Sequence, residues 1–319
     1  MSTREPFEAA AYGGAGWSPR TQSTQQEIGD IWASCGIQSE YAPLKSALLH
    51  EPDKGLIASE NPDDMQMIDV LDVKLAQSQH KALVQAYQEA GVTVHAVKPD
   101  CPATPNQMFC ADLFFMTPEG AILARPASTV RAGEERWVAR RLAAIGVPII
   151  RSIRGHGTFE GADAMWLDHK TVIVGCGFRT NDEGANQLEA ILSEMNVELI
   201  RIDMSVGAMH LMGMLRIVAD DLAIAWPKRF VHRGVRALLD RGYRVAWLPD
   251  LAEVEQRKAF NIVTLSPRKI IMPAGCPVTQ AFFEELDVEC ITVDVDELVK
   301  AAGAIGCLTG VIDRDLLEN

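Results

Sequence analysis

The chain is poor in the features that mark a nucleic-acid binder or a membrane protein. It has 319 residues, 43 acidic against 30 basic, a formal net charge of −13, and no basic block. Phosphate backbones and anionic membrane surfaces are bound by clustered Lys and Arg, so neither is an expected partner. The same field mildly favours a cationic small molecule. No run of about 18 apolar residues occurs, so no membrane span is expected. The start, Met1-Ser2-Thr3-Arg4-Glu5, lacks the apolar stretch of a signal peptide. There is no C-x-x-C and no H-E-x-x-H, so neither a metal nor a cofactor is expected. The seven cysteines are odd in number and irregularly spaced, which argues against a disulfide framework and for a reducing, cytoplasmic setting. With 48% hydrophobic and 23% charged residues, the rest is an ordinary globular composition with a sizeable core.

The first forty or so residues differ from the remainder. They are polar and carry Gly13-Gly14-Ala15-Gly16-Trp17-Ser18-Pro19, which predicts an arm or lid over 1–42 leading into a helix near 23–34. The glycine run is no phosphate loop, since no strand precedes it and no Lys-Ser/Thr follows. From residue 43 to 319 one domain is expected. Its first unit has a strand at 46–50, a helix at about 69–90 and a strand at 92–97. Four further units each add a hairpin. These are 113–116 with 121–124, 164–167 with 171–175, 215–218 with 222–225, and 262–265 with 269–272. Each hairpin is followed by a helix (133–145, 182–195, 231–241, 277–286) and a strand (147–150, 197–201, 244–248, 288–293). A spacing of roughly fifty residues lies in the range of repeat or propeller folds. The strands are short and almost wholly apolar, as in sheet covered on both faces. A doubly wound sheet fits less well, because two- to four-residue links imply hairpins rather than pure crossovers.

Several polar residues stand where such strands begin or end. Cys307 follows Gly303-Ala304-Ile305-Gly306, a small-residue approach that leaves a thiol accessible, although a free cysteine is commonly just a small buried hydrophobe. A thiol of ordinary pKa about 8.5 needs a base or a cation nearby to react. His210 precedes an apolar run, a place where a histidine is more often a satisfied core residue than a catalyst. Glu160 and Asp163 flank Gly161-Ala162 and read either as a strand-entry turn or as a carboxylate pair for a cationic substrate. Asp112 lies just ahead of an apolar strand, as an edge residue or a substrate anchor. Arg125, Arg131 and Arg179 are solvated arginines or carboxylate clamps.

Taken in order, Phe109–Asp112, Arg125-Pro126 with Arg131-Ala132-Gly133-Glu134, Thr158–Asp163, Phe178-Arg179-Thr180-Asn181 with Gly184-Ala185, Met209-His210-Leu211, and Gly306-Cys307-Leu308-Thr309 resemble six motifs of the pentein superfamily of guanidino-group-modifying enzymes. Within it the chain looks most like the dimethylarginine dimethylaminohydrolases. The resemblance runs from about residue 44 to the end. It implies a five-bladed α/β propeller with pseudo-fivefold symmetry. It also implies a hydrolase that acts on the guanidinium of arginine, or of an N-substituted arginine-like compound, through a covalent cysteine intermediate. The product would be a citrulline-type ureido compound. By carry-over, Cys307 would be the nucleophile, His210 the acid/base and Glu160 its partner. Asp112 would hold the guanidinium, Arg131 and Arg179 the amino-acid carboxylate, and Asp163 would support the site or touch substrate. Two departures stand out. Ala162 replaces a glycine, so its turn must accept a Cβ. Met212 stands where arginine deiminases carry an acid after H-L, which favours a substituted guanidine over free arginine. Amidino transfer to an amine, arginine deimination and a non-catalytic binding role are the alternatives, and a homodimer is the base-rate expectation.

Overall fold

The computed structural model describes residues 18–249 and 251–316. In the first unit β1 (Leu44–His50) runs parallel to β2 (Thr93–Val97), with the helix Val73–Glu89 crossing between them. Asp72 caps that helix, its carboxylate accepting from the Lys74 and Leu75 amides. The second unit pairs β3 (Phe114–Thr117) antiparallel with β4 (Gly120–Leu123). The helix Glu135–Ala144 then returns the chain to β5 (Ile149–Ser152), parallel to β4. The third repeats this with β6 (Ala164–Asp168), β7 (Thr171–Cys176) and β8 (Glu198–Asp203) around the helix Asp182–Glu194. The fourth has β9 (Leu215–Ile217), β10 (Leu222–Ala225), the helix His232–Leu239 and β11 (Arg244–Trp247). The fifth has β12 (Val263–Ser266), β13 (Lys269–Pro273), the helix Pro277–Glu284 and β14 (Glu289–Val293).

The first unit has no hairpin partner of its own. β15 (Gly310–Arg314) supplies it, pairing antiparallel with β1 so that the two ends of the chain close the ring. The result is five three-stranded mixed sheets, an α/β propeller of five blades. In each sheet the middle strand is antiparallel to one neighbour and parallel to the other. A hairpin needs only a tight turn, whereas a parallel return needs a crossover, here a helix.

Burial is graded across a blade. β3 and β4 are wholly buried, while β5 is half-buried to exposed. The buried faces interlock between blades. Phe115 of β3 stacks on Trp166 of β6 with ring centroids 5.9 Å apart and planes 12° apart, and the indole N–H donates to the Met116 carbonyl at 3.1 Å. Burying a phenylalanine contributes roughly 1.5–3 kcal/mol and a stacked pair about 0.5–1.5 more. Among the described residues no helix is long and apolar enough to cross a membrane.

Two expectations near the start need correction. The helix near 23–34 is only Thr24–Glu27, because Ile28 is already extended and Gly29 takes φ +86°. The arm over 1–42 is not free in its described part. Cys35 and Ile37 belong to the core, and Gly36 bridges to Asp313 beside β15. Residues 18–42 line neither of the cavities described below. The run Gly13–Trp17, on which the lid reading rested, lies outside the described residues.

Candidate active site

Each blade enters its first hairpin strand through a short turn, and the turns carry the polar residues. Asp112 ends the turn Cys110–Asp112 before β3, and Glu160 precedes the turn Gly161–Asp163 before β6. His210 precedes Leu211–Gly213 before β9, Asn261 lies two residues ahead of β12, and Cys307 sits in the turn Ile305–Leu308 before β15. The repeat therefore brings one functional group per blade to the same level of the propeller. Close packing of these turns sets the local sequence. A Cβ on Gly161 would lie 2.2 Å from the Phe114 carbonyl oxygen and 2.5 Å from that of Ala111, so only glycine fits. Ala162 keeps negative φ and is buried, so its Cβ is accepted there without strain.

The centre is an ion-pair network. His210 Nε2 lies 2.6 Å from Glu160 Oε2, and its Nδ1 lies 3.8 Å from Asp112 Oδ1. Arg131 donates from Nη1 to Asp112 Oδ2 at 2.6 Å and to Glu160 Oε2 at 3.4 Å, and from Nε to Glu134 Oε2 at 2.8 Å. Arg179 Nη1 donates to Glu160 Oε1 at 3.4 Å, and the Ala127 amide donates to the same oxygen at 3.1 Å. All of these side chains are buried.

Burial alone would push Glu160 up, but the His210 hydrogen bond and charge, with Arg131 and Arg179, hold it well below the usual carboxylate range. Burial alone would push His210 down, yet Asp112, Asp163 and Glu160 together raise it to about 9. Glu134 is raised to about 7 because burial outweighs its Arg131 partner. Burial and then the Asp112 charge push the Cys307 thiol up, against the Asn261 amide and the Arg216 guanidinium.

Cys307 is held by Asn261, whose Nδ2 donates to Sγ at 3.0 Å and whose Oδ1 accepts from the Cys307 amide at 2.9 Å. Met212 Sδ stands 3.8 Å from the same sulfur. Two cavities meet at this point, both lined by Met209, His210, Ala302 and Cys307. The smaller, about 20 Å³, is walled by Asp112, Arg131 and Arg179. Asp112 Oδ1, Arg131 Nη2 and Arg179 Nε, of residues that wall it, are buried with no hydrogen-bond partner among the described residues. The larger, about 310 Å³, opens on the Asn261 and Met212 side.

The structure thus brings Cys307, His210, Glu160, Asp112, Arg131 and Arg179 together. Asp163 stands apart: of the two roles expected for it, support of the site or contact with substrate, its contacts are those of support. Its two oxygens accept from Thr180 Oγ1 at 2.7 Å and from the Leu211 amide at 3.1 Å, and it lines neither cavity. It braces the His210 turn, and burial raises its own pKa to about 7. Arg125 also stays outside, fastening the Glu160 loop through the Gly157 carbonyl at 3.1 Å. Asn261, Met212 and the buried Arg216 were not singled out from sequence as contacts of the thiol. Asn261 could have been found from the repeat, since it occupies in the fifth blade the place Asp112 holds in the second. Asp112, Glu160 and His210 bring possible metal-ligand atoms within 4.8 Å of one another. Arg131 already places its positive charge on both carboxylates, so the cluster suits an ion-pair network rather than a metal.

The five-sheet architecture is that of the pentein superfamily of guanidino-group-modifying enzymes. More narrowly, residues 69–312 match the profile of the eukaryotic N,N dimethylarginine dimethylhydrolases, and the chain belongs to that family of hydrolases. An N(G),N(G)-dimethylarginine dimethylaminohydrolase from Pseudomonas aeruginosa is 28% identical over 242 residues, 75% of this chain and 89% of its own. A solved structure of that organism's enzyme, a cysteine-to-serine mutant complexed with citrulline, superposes with TM-score 0.71 at 24% identity, over 85% of this chain and 99% of the other. An amidinotransferase from Microseira wollei shares the fold with TM-score 0.71 at 16% identity, over 89% of this chain and 99% of its own.

Proposed function

We propose that this protein hydrolyses the guanidinium of an N-substituted arginine-like compound, with Cys307 as nucleophile, His210 as acid/base and Glu160 as its orienting partner. The observation that carries the reading is the set of unpartnered groups around the smaller cavity. A buried polar atom without a partner costs about 1–3 kcal/mol. Asp112 Oδ1 is such an acceptor, and Arg131 Nη2 and Arg179 Nε are such donors. A ligand with guanidinium N–H groups for the first and a carboxylate for the other two satisfies all three. A guanidino amino acid has both ends.

The chemistry follows from the charges. A guanidinium beside Cys307 supplies the positive charge that a thiolate needs. Sγ attacks the central carbon, forming a C–S bond. The C–N bond to the substituted nitrogen then breaks. His210 is held protonated at neutral pH, and Nε2 is committed to Glu160, so Nδ1 delivers the proton to the departing amine. Neutral His210 next takes a proton from water, whose oxygen attacks the amidino carbon. The C–S bond breaks, the thiolate returns, and a ureido product leaves. Met212 beside the sulfur, in place of an acid, supports a substituted guanidine rather than free arginine. All seven cysteines are free, which supports a reducing, cytosolic setting. The test is incubation with arginine, N-methylarginines, agmatine and guanidino acids, with products read by mass spectrometry. Citrulline plus methylamine or dimethylamine is expected, and none from Cys307→Ser. Turnover by Cys307→Ser at the normal rate would overturn the assignment.

A further inference from the structure

In the mechanism above, the cation beside Cys307 comes from the substrate. A second cation stands behind the thiol whether or not substrate is there. Arg216, midway along β9 and opposite Ile224 of β10, is buried and reaches from the fourth blade to the fifth. Its Nε makes one long hydrogen bond, to the Phe260 carbonyl at 3.4 Å. Its Nη2 lies against the turn that carries Cys307, since a Cβ on Gly306 would stand 2.3 Å from it. Glycine at 306 thus lets the guanidinium close on that turn. Nη2 is buried with no hydrogen-bond partner, and Arg216 has no ion pair among the described residues. Arg314, also buried, instead spends Nη1 and Nη2 on the Ala42 and Thr264 carbonyls at 2.6 and 2.8 Å.

We propose that Arg216 is a positioning residue for the reaction, a fixed positive charge behind Cys307 that stabilises the thiolate before any guanidinium arrives. The inference rests on the reading of Cys307 as nucleophile. A buried charge without a counter-ion costs stability, so a fold that keeps one has another use for it. Glu40 and Tyr87 also face Arg216, but Glu40 accepts from the Trp166 amide at 3.0 Å and Tyr87 Oη lies 2.8 Å from Thr309 Oγ1. Burial lowers Arg216 to about 10, and Cys307 leads the groups that oppose the fall. Around the thiol, Asp112 and His210 face it from their turns, and Asn261 and Lys258 from the loop before β12. The Asp112 charge works against the thiolate but is shared with Arg131 at 2.6 Å. Lys258 is only half-buried, so water screens its charge more than that of Arg216. The S–H bond then breaks with its electron pair left on Sγ, and the proton passes to water in the larger cavity.

The test reads the thiol without substrate. Iodoacetamide forms a C–S bond with Sγ and loses iodide, and its rate on the Cys307 peptide is followed by mass spectrometry from pH 6 to pH 10. The proteins are the wild type, Arg216→Gln, Arg216→Met and Arg216→Lys. Gln keeps a donor for the Phe260 carbonyl, Met keeps bulk alone, and Lys keeps the charge. The two charge-free variants should react ~10-fold or more slowly at pH 8, with the midpoint of the profile moved to higher pH. Their Tm should match or exceed that of the wild type, because an unpaired buried charge has been removed. Arg216→Lys should recover most of the rate. Profiles equal to the wild type in Arg216→Gln and Arg216→Met would overturn the inference and leave the hydrolase reading intact. So would an Arg216→Lys as slow as they are, since charge would not be the cause. Failure of both charge-free variants to fold would also overturn it, because the guanidinium would then serve the fold. Wild-type protein fully alkylated on Cys307 that still turns over Nω,Nω-dimethylarginine normally would remove the nucleophile reading and this inference with it.

Discussion

Replacing Glu160 by Gln removes one negative charge from beside His210 while keeping the side chain's shape. The imidazole is raised from an ordinary 6.5 to about 9, the last contributors being the Glu160 hydrogen bond and charge, behind Asp112 and Asp163. At about 1.4 kcal/mol per tenfold change in acidity, that rise is linked to about 3 kcal/mol of folding stability. The sign is fixed by the direction. The folded protein holds a proton that the unfolded chain releases, so the stabilisation is complete below pH 6.5 and is lost as pH climbs toward 9. Asp163 and Glu134 are raised only to about 7, so their own linkage falls mainly below that pH. Denaturant unfolding at steps from pH 7 to 9 reads the slope. The wild type should lose on the order of 2–3 kcal/mol over this window, and Glu160→Gln clearly less, on the order of 1. The thiols that burial pushes up, Cys176 and Cys276 to about 11 among them, contribute alike to both proteins and cancel in the comparison. The absolute stability of Glu160→Gln should also fall, because Arg131 and Arg179 lose a buried counter-charge. An identical slope in the two proteins would refute the claim that Glu160 holds the His210 proton.

Two further outcomes follow from the geometry. Asn261→Ala removes the only side-chain N–H placed on Sγ among the described hydrogen bonds, and a hydrogen bond to a charged group is worth about 1.5–3 kcal/mol. Iodoacetamide should then alkylate Cys307 ~10-fold or more slowly at pH 8, and an unchanged rate would show that the amide does not stabilise the thiolate. His80 is buried with no partner on Nε2, and burial, helped by His50 and Lys81, lowers it to about 4. Its linkage has the opposite sense to that of His210. Stability is complete above pH 6.5 and is lost as pH falls toward 4, because the unfolded chain takes up the proton first. His80→Leu should flatten the fall of Tm between pH 6.5 and 5, and an equal fall in both proteins would count against this reading.

The legibility of the chain followed the range of the interactions. Four blades read directly, because hairpin, helix and strand are contiguous and each hairpin link is short. The first blade did not, since β15 pairs with β1 from the far end of the chain and neither segment marks the other. The six polar residues that meet at the centre were found as motifs whose wording, rather than physics, tied them together. What the motifs could not convey was which polar atoms are spoken for. Asp163 looks equivalent to Glu160 on paper, yet its oxygens are used by Thr180 and Leu211. Asn261 carries no charge and stands in no motif; its place in the repeat marks it, and its contact with Cys307 gives that place a role. The helix near 23–34 failed for a local reason, a glycine in the left-handed region just past its first turn.

The central claim is that Cys307 itself becomes bonded to the guanidine carbon, and one measurement addresses it directly. His210→Ala should acylate slowly and release more slowly still, since the imidazole that activates water is gone. That variant is incubated with Nω,Nω-dimethylarginine, quenched in acid and digested, and the peptide containing Cys307 is examined by mass spectrometry. The account predicts an amidino adduct on Cys307, absent from the other six cysteines and absent when Cys307 is Ser. Citrulline formed by the wild type, with no adduct on Cys307 under any quench and full turnover retained in Cys307→Ser, would contradict it.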